Sequence, residues 1–516
     1  MSKTTIPALI QQMMEPGFYP HSVTQPIQML QTHISYVLLT GDFAYKIKKP
    51  VNFGFLDFST IAQRRHFCYE EIRLNQPNAP EIYLDVLAIT QEGNRFILGG
   101  AGEPVEYVVK MCQFPQSTLL STMFEEGRLT EVQMEELGKI VAHFHIKCQT
   151  SDYIKTFGEV AKIGEYMEDN YQHTIKYIGG SQTQQQYDET KAFSDLFLIE
   201  QEEVLAKRRD KNFIRECHGD LHLRNICLWH NKIQLFDCIE FNEPFRFVDV
   251  MYDVAFTVMD LEARGRKDLG NAFLNTYLEQ TGDWEGLQVL PLYLSRQAYV
   301  RAKVTSFLLD DSGVGAEAKQ EASITAANYY RLAWEYTKIE RGRLILMSGL
   351  SGAGKSTVAR KLARQLGAIH LRSDAVRKHL AGIPLEEKGE DTLYTAEMTQ
   401  KTYNRLLELG ILLANQGFTV ILDAKYDKQA LRKPAIAQAQ TEQIPLEIIS
   451  CTAPMDVLRD RILSRTGDVS DATADLLASQ EATAEPFTEE EQSLVTILDT
   501  TQDWSSKLVI GCGQGA

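Results

Sequence analysis

Two hydrophobic periods, one of two residues and one of 3.6, alternate along this chain and predict its elements. Residues 1–30 read as a helix and loop, with Pro16, Pro20 and Pro26 interrupting regular structure. Ile34 to Thr40 and Phe43 to Ile47 read as strands around a Gly41-Asp42 turn, a hairpin whose far end carries Lys46, Lys48 and Lys49. An amphipathic helix follows from about Thr60 to Leu74. Further strands are expected at Ile82 to Ile89, Phe96 to Leu98 and Glu106 to Met111. From Ser117 the period becomes helical, as in Glu131 to Cys148, where Leu137, Val141, Phe144 and Cys148 share a face. Helices dominate 155–210, a short alternation spans 214–241, and helices resume to about 310. After a loop at Asp310 to Gly315, a last helix is expected to pack through Ile324, Ala327, Tyr330 and Trp334.

The pattern changes again at 338–343. Leu344 to Met347 is a short apolar run bounded by a glycine-rich turn, and Thr357 to Ala363 reads as a helix. Further strands are expected before Asp374, at Thr419 to Asp423 and at Ile448 to Cys451. This places one domain over 1–338, with a core of about 30–305, and a second over 341–516. No proline- or serine-rich linker separates them.

Composition narrows the class. The 516 residues are 44% hydrophobic and 24% charged, as in globular proteins. The net charge is −16. Up to residue 340, 33 Lys and Arg face 46 Asp and Glu, a net −13; beyond it 20 face 23, a net −3. Neither part is basic, which argues against bulk binding of nucleic acid or acidic membrane. The cysteines, Cys68, Cys112, Cys148, Cys217, Cys227, Cys238, Cys451 and Cys512, form no C-x-x-C pair and read as reduced core residues. No signal-peptide core opens the chain and no apolar run reaches about 18 residues, so a cytoplasmic protein is expected.

Gly349, Gly354, Lys355 and Ser356 fill the G-x-x-x-x-G-K-[ST] pattern of a phosphate-binding P-loop, between an expected strand and helix. Glycines let backbone N–H groups curl around phosphate oxygens, and the helix start adds its positive dipole end. The expected ATP cradle is Gly349, Ser351, Gly352, Ala353, Gly354, Lys355, Ser356 and Thr357, with the Ser356 hydroxyl on Mg²⁺. Downstream, Asp374 is placed to act on a hydroxyl nucleophile, and Arg377, one helical turn later, to clamp an anionic substrate. The alternative is a capping acid with a solvated arginine. Asp423 ends an apolar strand in the manner of a Walker B acid and is expected to hold Mg²⁺. Arg459, Arg461 and Arg465 read either as a lid or as a charged helix face.

A second constellation lies in the first part. In His218-Gly219-Asp220-Leu221-His222-Leu223-Arg224-Asn225, an acid precedes an amide by five residues, and Asp237 follows 12 residues later. A phosphotransferase needs this: Asp220 to orient and deprotonate a hydroxyl, Asn225 and Asp237 as hard oxygen ligands for Mg²⁺. Asp249 and Asp253 read as helix-capping and bracing residues. His143 and His145, two apart on a helix, do not face the same way.

The stretch from about 30 to 305 resembles the aminoglycoside phosphotransferase family, relatives of protein kinases whose catalytic loop reads H-G-D-x-x-x-x-N. The resemblance implies a bilobal fold, with a hinge at Met111 to Pro115, Asp220 as catalytic base, and Asn225 and Asp237 on Mg²⁺. A kinase-type site also pairs a strand lysine with a helix glutamate; Lys46 is the first choice, Lys48 the runner-up on the same strand face, and Glu71 is preferred to Glu70. A glycine-rich phosphate loop is not evident there. Residues 343–510 resemble small P-loop kinases such as polynucleotide kinase, zeta-type toxins and gluconate kinases. They depart from the pattern at Ala424-Lys425-Tyr426, where a small polar residue is usual in place of the lysine. As a whole the chain resembles bacterial bifunctional aminoglycoside phosphotransferase/ATP-binding proteins.

The expected architecture is therefore an α+β bilobal kinase-like domain followed by an α/β P-loop NTPase (AAA-type ATP-binding) domain, a parallel sheet flanked by helices. The expected function is γ-phosphoryl transfer from ATP, with Mg²⁺, to hydroxyl groups of small molecules at two sites. Two alternatives stay open: one domain regulates the other by sensing nucleotide, or the second is a nucleic-acid-end or toxin-like kinase with a local basic groove. Substrates and oligomeric state are not encoded in these motifs.

Overall fold

A computed structural model describes residues 6–389, 391–464 and 473–504. Its contacts divide the chain into two compact units. The first comprises the chain up to Gln133, His143–Ala263 and Leu292–Glu335; the second comprises Met134–Ala142, Arg264–Pro291 and the chain from Tyr336 onward. The sequence pattern draws one boundary at 338–343, whereas the contacts assign two earlier segments to the second unit.

The first unit begins with strands β1 (Gln28–Gln31), β2 (Ser35–Leu39), β3 (Phe43–Lys48), β4 (Tyr83–Glu92), β5 (Arg95–Leu98) and β6 (Pro104–Cys112). They form one antiparallel sheet in the order β1-β2-β3-β6-β4-β5. β1, Gln-Met-Leu-Gln, escapes the sequence pattern because it is a largely exposed edge strand without alternation. One face packs Leu38, Tyr45, Ile47, Ile89 and Val108 against Ile10 and Met13 of the helix Ala8–Met13. The other packs Ile82, Tyr83, Val86 and Val109 around Cys68 of the helix Ile61–Asn75. That helix starts at a reciprocal Thr60/Gln63 capping box. Its buried Arg64 pairs with Glu106 of β6 at 2.9 Å, fixing the helix to the sheet.

Beyond this sheet the first unit is mainly helical. Two small antiparallel pairs interrupt it: β7 (Ile214–Glu216) with β10 (Phe247–Asp249), and the hairpin β8 (Ile226–Trp229) with β9 (Lys232–Leu235). The helix Val250–Ala263 is buried along nearly its whole length. The helix Ala316–Glu335 packs through Ala322, Ala326, Tyr330 and Ala333, while Ile324 is 58% exposed. The expected face through Ile324 and Ala327 is thus corrected: small alanines carry the packing, which an eye for large apolar residues passes over.

The second unit is built on β11 (Arg343–Ser348), β12 (Ile369–Arg372), β13 (Thr419–Asp423), β14 (Leu446–Thr452) and β15 (Val495–Asp499). All pairs are parallel, in the order β12-β13-β11-β14-β15. The central strands are apolar runs because helices cover both faces of a parallel sheet. The helix Lys355–Leu366 packs Val358, Ala359, Leu362 and Ala363 onto Ile345, Met347, Ile421 and Ile449. Edge strand β12 is covered by the helix Lys267–Thr281, whose Asn275 accepts from His370 N at 2.7 Å and whose Asn271 donates to Ala368 O at 2.9 Å. These bonds occupy backbone groups that an edge leaves unpaired. Among the described residues no helix is long and apolar enough to cross a membrane.

Candidate functional sites

In the first unit the loop His218–Asn225 hangs from one helix face. Asp253 accepts from His218 N at 2.7 Å and from Gly219 N at 2.9 Å. One turn on, Thr257 donates to Leu221 O at 2.8 Å, and Asp260 accepts from Leu223 N at 3.1 Å. The 253, 257, 260 spacing is one helical face, so a rigid buried helix sets the loop backbone. Gly219 has φ +83°, and a Cβ there would stand 2.6 Å from Phe245 O, so this position requires glycine. Asp253 braces the loop as expected; Asp249 caps Met251 N and pairs with Arg208 at 2.7 Å. His145 reaches Asp253 at 3.2 Å while His143 points outward.

Within this loop Asn225 Nδ2 donates to both Asp220 O (2.9 Å) and Asp220 Oδ2 (3.0 Å). Burial by itself would raise the Asp220 carboxyl, but His222, 3.4 Å away, together with Arg301 and His218, holds it down at about 2. Asp237 follows β9 at φ +62°, its N–H bonded to Tyr83 OH at 3.1 Å. Phe236 N donates to Asn225 O at 3.0 Å, tying the two expected Mg²⁺ ligands through one backbone bond.

Lys46 Nζ lies 2.7 Å from Glu71 Oε1 and 2.6 Å from Asp237 Oδ1. Lys48, two residues along the same face of β3, is more deeply buried; it lies 2.7 Å from Glu71 Oε2 and also pairs with Glu240. Burial disfavours the charge on Lys46, but Asp237, Glu71 and Glu240 outweigh it and raise its pKa well above the usual value. Glu71, fully buried, is likewise penalised by burial, and the two lysines keep it ionised. The other acid considered, Glu70, sits at the surface with Arg73 at 2.8 Å. Sequence reasoning missed Glu240, Tyr83, Thr257 and Asp260. Glu240 follows Asp237 by three residues, and of these it alone carries a spacing signal in the sequence.

In the second unit the turn after β11 enters the helix Lys355–Leu366 with φ +131° at Gly349, +78° at Gly352 and +86° at Gly354. A Cβ at Gly349 would stand 2.3 Å from Cys451 O, and one at Gly352 would stand 2.6 Å from Leu458 O. Lys355 Nζ donates to Leu350 O at 2.9 Å, folding the ammonium back over the loop. Burial lowers its pKa, and Asp423 opposes that. Asp423, at the end of β13, lies 2.9 Å from His370 Nε2 of β12 and is hydrogen-bonded by Ser356. Burial alone would raise its carboxyl; His370, Arg372 and Ser356 bring it to about 2. His370 was not singled out in the sequence, where one histidine in an apolar strand carries no signal.

A cavity of 1230 Å³ opens at the carboxyl ends of these strands, where open α/β sheets bind ligands. Ser351, Gly352, Gly354, Lys355, Ser356, Thr357, Asp374, Arg377, Asp423 and Arg461 all line it. Ala353, in the same loop, is buried with its carbonyl accepting from Thr500 Oγ1 at 3.0 Å. Arg377 donates to Leu393 O at 2.9 Å and stacks 5.1 Å over the Tyr394 ring. Arg461 donates to Thr500 Oγ1 at 2.8 Å and Thr500 O at 3.0 Å, so it is anchored beside the phosphate loop. Arg459 is exposed, and Arg465 lies outside the described residues.

Residues 344–487 match a family model described as an AAA domain. Over 469 residues the chain is 32% identical to the uncharacterized protein Rv2004c of Mycobacterium tuberculosis, covering 89% of this chain and 91% of that one. Among solved structures it is similar to a gluconokinase from Sinorhizobium meliloti 1021, with 22% identity over 33% of this chain and 88% of that chain and a TM-score of 0.24. It is also similar to a choline/ethanolamine kinase family protein from Mesorhizobium loti, with 9% identity over 64% of this chain and 99% of that chain and a TM-score of 0.37.

Proposed function

We propose that this chain, which belongs to the same family as the uncharacterized mycobacterial protein Rv2004c, is an ATP-dependent phosphotransferase with two nucleotide sites that act on hydroxyl groups of small molecules. The observation that carries the reading is the 1230 Å³ cavity of the second unit, lined together by the P-loop residues Gly354, Lys355 and Ser356 and by Asp374, Arg377 and Asp423. The loop N–H groups and Lys355 hold the β- and γ-phosphates of ATP. Ser356 and Asp423 present a hydroxyl and a carboxylate, the hard donors that suit Mg²⁺. When bound, the ion neutralises charge on the transferring phosphoryl group. Asp374 orients the acceptor hydroxyl and takes its proton. The acceptor oxygen bonds to the γ-phosphorus as the bond to the β,γ-bridging oxygen breaks, and ADP leaves with the electron pair. Arg377 positions the acceptor, and Arg461 compensates phosphoryl charge.

At the first site Asp220 serves as the base, held ionised by His222, and Lys46 carries the nucleotide phosphates with Glu71 as its orienting partner. Asn225 and Asp237 offer oxygen donors that suit Mg²⁺. This unit is read as a bilobal kinase-like fold, with the antiparallel sheet as its small lobe. One observation favours a second reading, in which the first unit senses nucleotide and regulates: Lys46 is already engaged by Asp237 as well as Glu71.

The test is incubation with γ-labelled ATP and a small-molecule extract, comparing wild type with Asp220→Ala and Lys355→Ala. Two enzymes lose different labelled products. If both variants change one and the same product, the first unit regulates the second. No labelled product in any sample sinks the kinase reading.

A further inference from the structure

The first site carries two arginines that no acid answers. Elsewhere in this unit arginines drawn out of water meet carboxylates: Arg64 meets Glu106 at 2.9 Å, Arg208 meets Asp249 at 2.7 Å and Arg246 meets Glu216 at 3.1 Å. Arg296 and Arg301, half-buried on the helix Leu290–Asp310, do not. Among the described residues neither guanidinium has a hydrogen-bond acceptor or a carboxylate in ion-pair range. Arg296 Nε is buried outright and still has no partner. A donor removed from water and left unmade costs its desolvation, so two such groups in one site call for an acceptor that the chain does not supply.

Packing brings both arginines to Asp220. The helix Leu290–Asp310 lies against Val250–Ala263, the helix from which the loop His218–Asn225 hangs: Gln297 Nε2 donates to Tyr252 O at 3.1 Å, and the Tyr293 and Tyr252 rings meet edge to face at 5.9 Å. Arg296 stacks 4.6 Å over the Tyr252 ring. Phe256, one turn on from Tyr252, meets the His222 ring at 5.2 Å, and His222 stands 3.4 Å from Asp220. Tyr252 and Phe256 thus form a floor that runs from Arg296 to the acid. Burial raises the Tyr252 hydroxyl above its ordinary value; Arg296 opposes this and Asp220 adds to it, so both charges act on one atom. Arg301, one turn after Gln297, is close enough to help hold Asp220 ionised. The charges that govern Lys46 are Asp237, Glu71 and Glu240, so the arginines belong with the base and not with the nucleotide lysine. Lys303, two turns beyond Arg296, is engaged by Asn170 Oδ1 and by Asp169 at 4.0 Å and adds no free charge.

The stacking itself favours an anion. A guanidinium lying on an aromatic ring uses its face and keeps the donors on its edge. A pair of carboxylate or phosphate oxygens matches that edge. A cation placed there meets two like charges in a half-buried setting, where repulsion is weakly screened. The local sign is opposite to that of the surrounding chain, which up to residue 340 has 46 Asp and Glu against 33 Lys and Arg.

We infer that Arg296 and Arg301 form an anion site for the acceptor of the first unit, so that the compound phosphorylated at Asp220 carries a carboxylate or phosphate group besides its reacting hydroxyl. An aminoglycoside-like polycation has the wrong charge for this site. The inference rests on the phosphotransferase reading of the first site. Asp220 takes the proton of the hydroxyl, that oxygen bonds to the γ-phosphorus as the bond to the β,γ-bridging oxygen breaks, and ADP leaves with the electron pair. The anionic group takes no part in bond making; it fixes which hydroxyl faces Asp220.

The test uses the full chain, saturating γ-labelled ATP and the small-molecule fraction of a bacterial extract, divided by ion exchange into cation-retained, unretained and anion-retained pools. Only product that disappears in Asp220→Ala is scored. Label is expected from the anion-retained pool. Treating that pool with phosphatase, removed before ATP is added, separates the sources of the anion: lost label identifies a phosphate ester and retained label a carboxylate, and both sustain the assignment. Arg296→Gln is expected to raise the amount of pool needed for half-maximal labelling about tenfold or more, with half-saturating ATP and the thermal midpoint unchanged, because charge-assisted hydrogen bonds to the anion are lost. Arg296→Lys, which keeps the charge, is expected to recover part of that loss. Should Arg296→Gln unfold, Arg301→Gln carries the same expectation. Asp220-dependent label from the cation-retained or unretained pool overturns the assignment, as does a folded glutamine variant that matches wild type or that shifts half-saturating ATP as far as the acceptor. Absence of Asp220-dependent label from every pool overturns the phosphotransferase reading of the first site instead.

Discussion

The two candidate sites handle charge in opposite ways. On the nucleotide side of the first unit each charge meets its counterpart: Lys46 with Glu71 and Asp237, Lys48 with Glu71 and Glu240. In the second, Lys355 rests on a backbone carbonyl, and Asp427 has no hydrogen-bond donor at all. A closed ion-pair network is stable without ligand, and phosphate binding to Lys46 has to compete with Asp237. A cavity lined by surplus cations already has the complement of a polyphosphate. The first arrangement favours stability and control, and the second favours affinity.

The largest effect expected from breaking this contrast is at Glu71. Glu71→Ala takes one of two acidic partners from each of two buried lysines, and loss of one partner of a buried network costs about 3–5 kcal/mol, read as a fall in the urea midpoint of the first unit. An unchanged midpoint would mean that the network is not closed in solution. Next is Lys355→Ala, expected to lower Lys355-dependent product about 10²–10³-fold with little change in stability, as for removal of one preorganised donor. Single-turnover labelling measures it, and a loss under about threefold would leave Lys355 without a phosphate to hold.

The third effect sharpens the comparison through pH. The Asp423 carboxyl lies at about 2 against an ordinary 3.8, a depression. Its contribution, about 2 kcal/mol, is therefore whole above about pH 4 and is lost as pH falls through the folded value. The stability gap between wild type and Asp423→Asn should hold steady from pH 7 to about pH 4 and close below it; a gap that widens on acidification contradicts the His370 and Ser356 contacts. The smallest effect is at the cap of the helix that carries Glu71. Thr60→Ala removes the side-chain acceptor of a capping box and should cost about 1 kcal/mol, visible in thermal unfolding.

The long periodic elements were legible from sequence alone. The β2–β3 hairpin, the helix Ile61–Asn75 with its Thr60 start, and the strand before the P-loop fall where the apolar periods put them. β1 did not, because an exposed edge strand needs no alternation, and the face of Ala316–Glu335 was misjudged because alanine packs without announcing itself. The choice of Lys46 over Lys48 was open on strand geometry, since both point the same way. Only depth separates them: Lys46 faces Asp237, and Lys48 lies behind it against Glu240.

The sequence by itself determined the elements whose signal is local: the glycine positions of the P-loop, the His218 to Asn225 spacing, and the acids that end β13 and follow β9. Each depends on chain geometry over a few residues, where backbone sterics leave little choice. The tertiary structure alone decided which distant groups share a charge. It brought His370 to Asp423 across neighbouring strands, Glu240 to Lys48, and the face 253, 257, 260 under the loop His218–Asn225. It also left Asp427 buried without a donor. Such partnerships depend on burial and on contacts between residues far apart in the chain, and a one-dimensional pattern encodes neither.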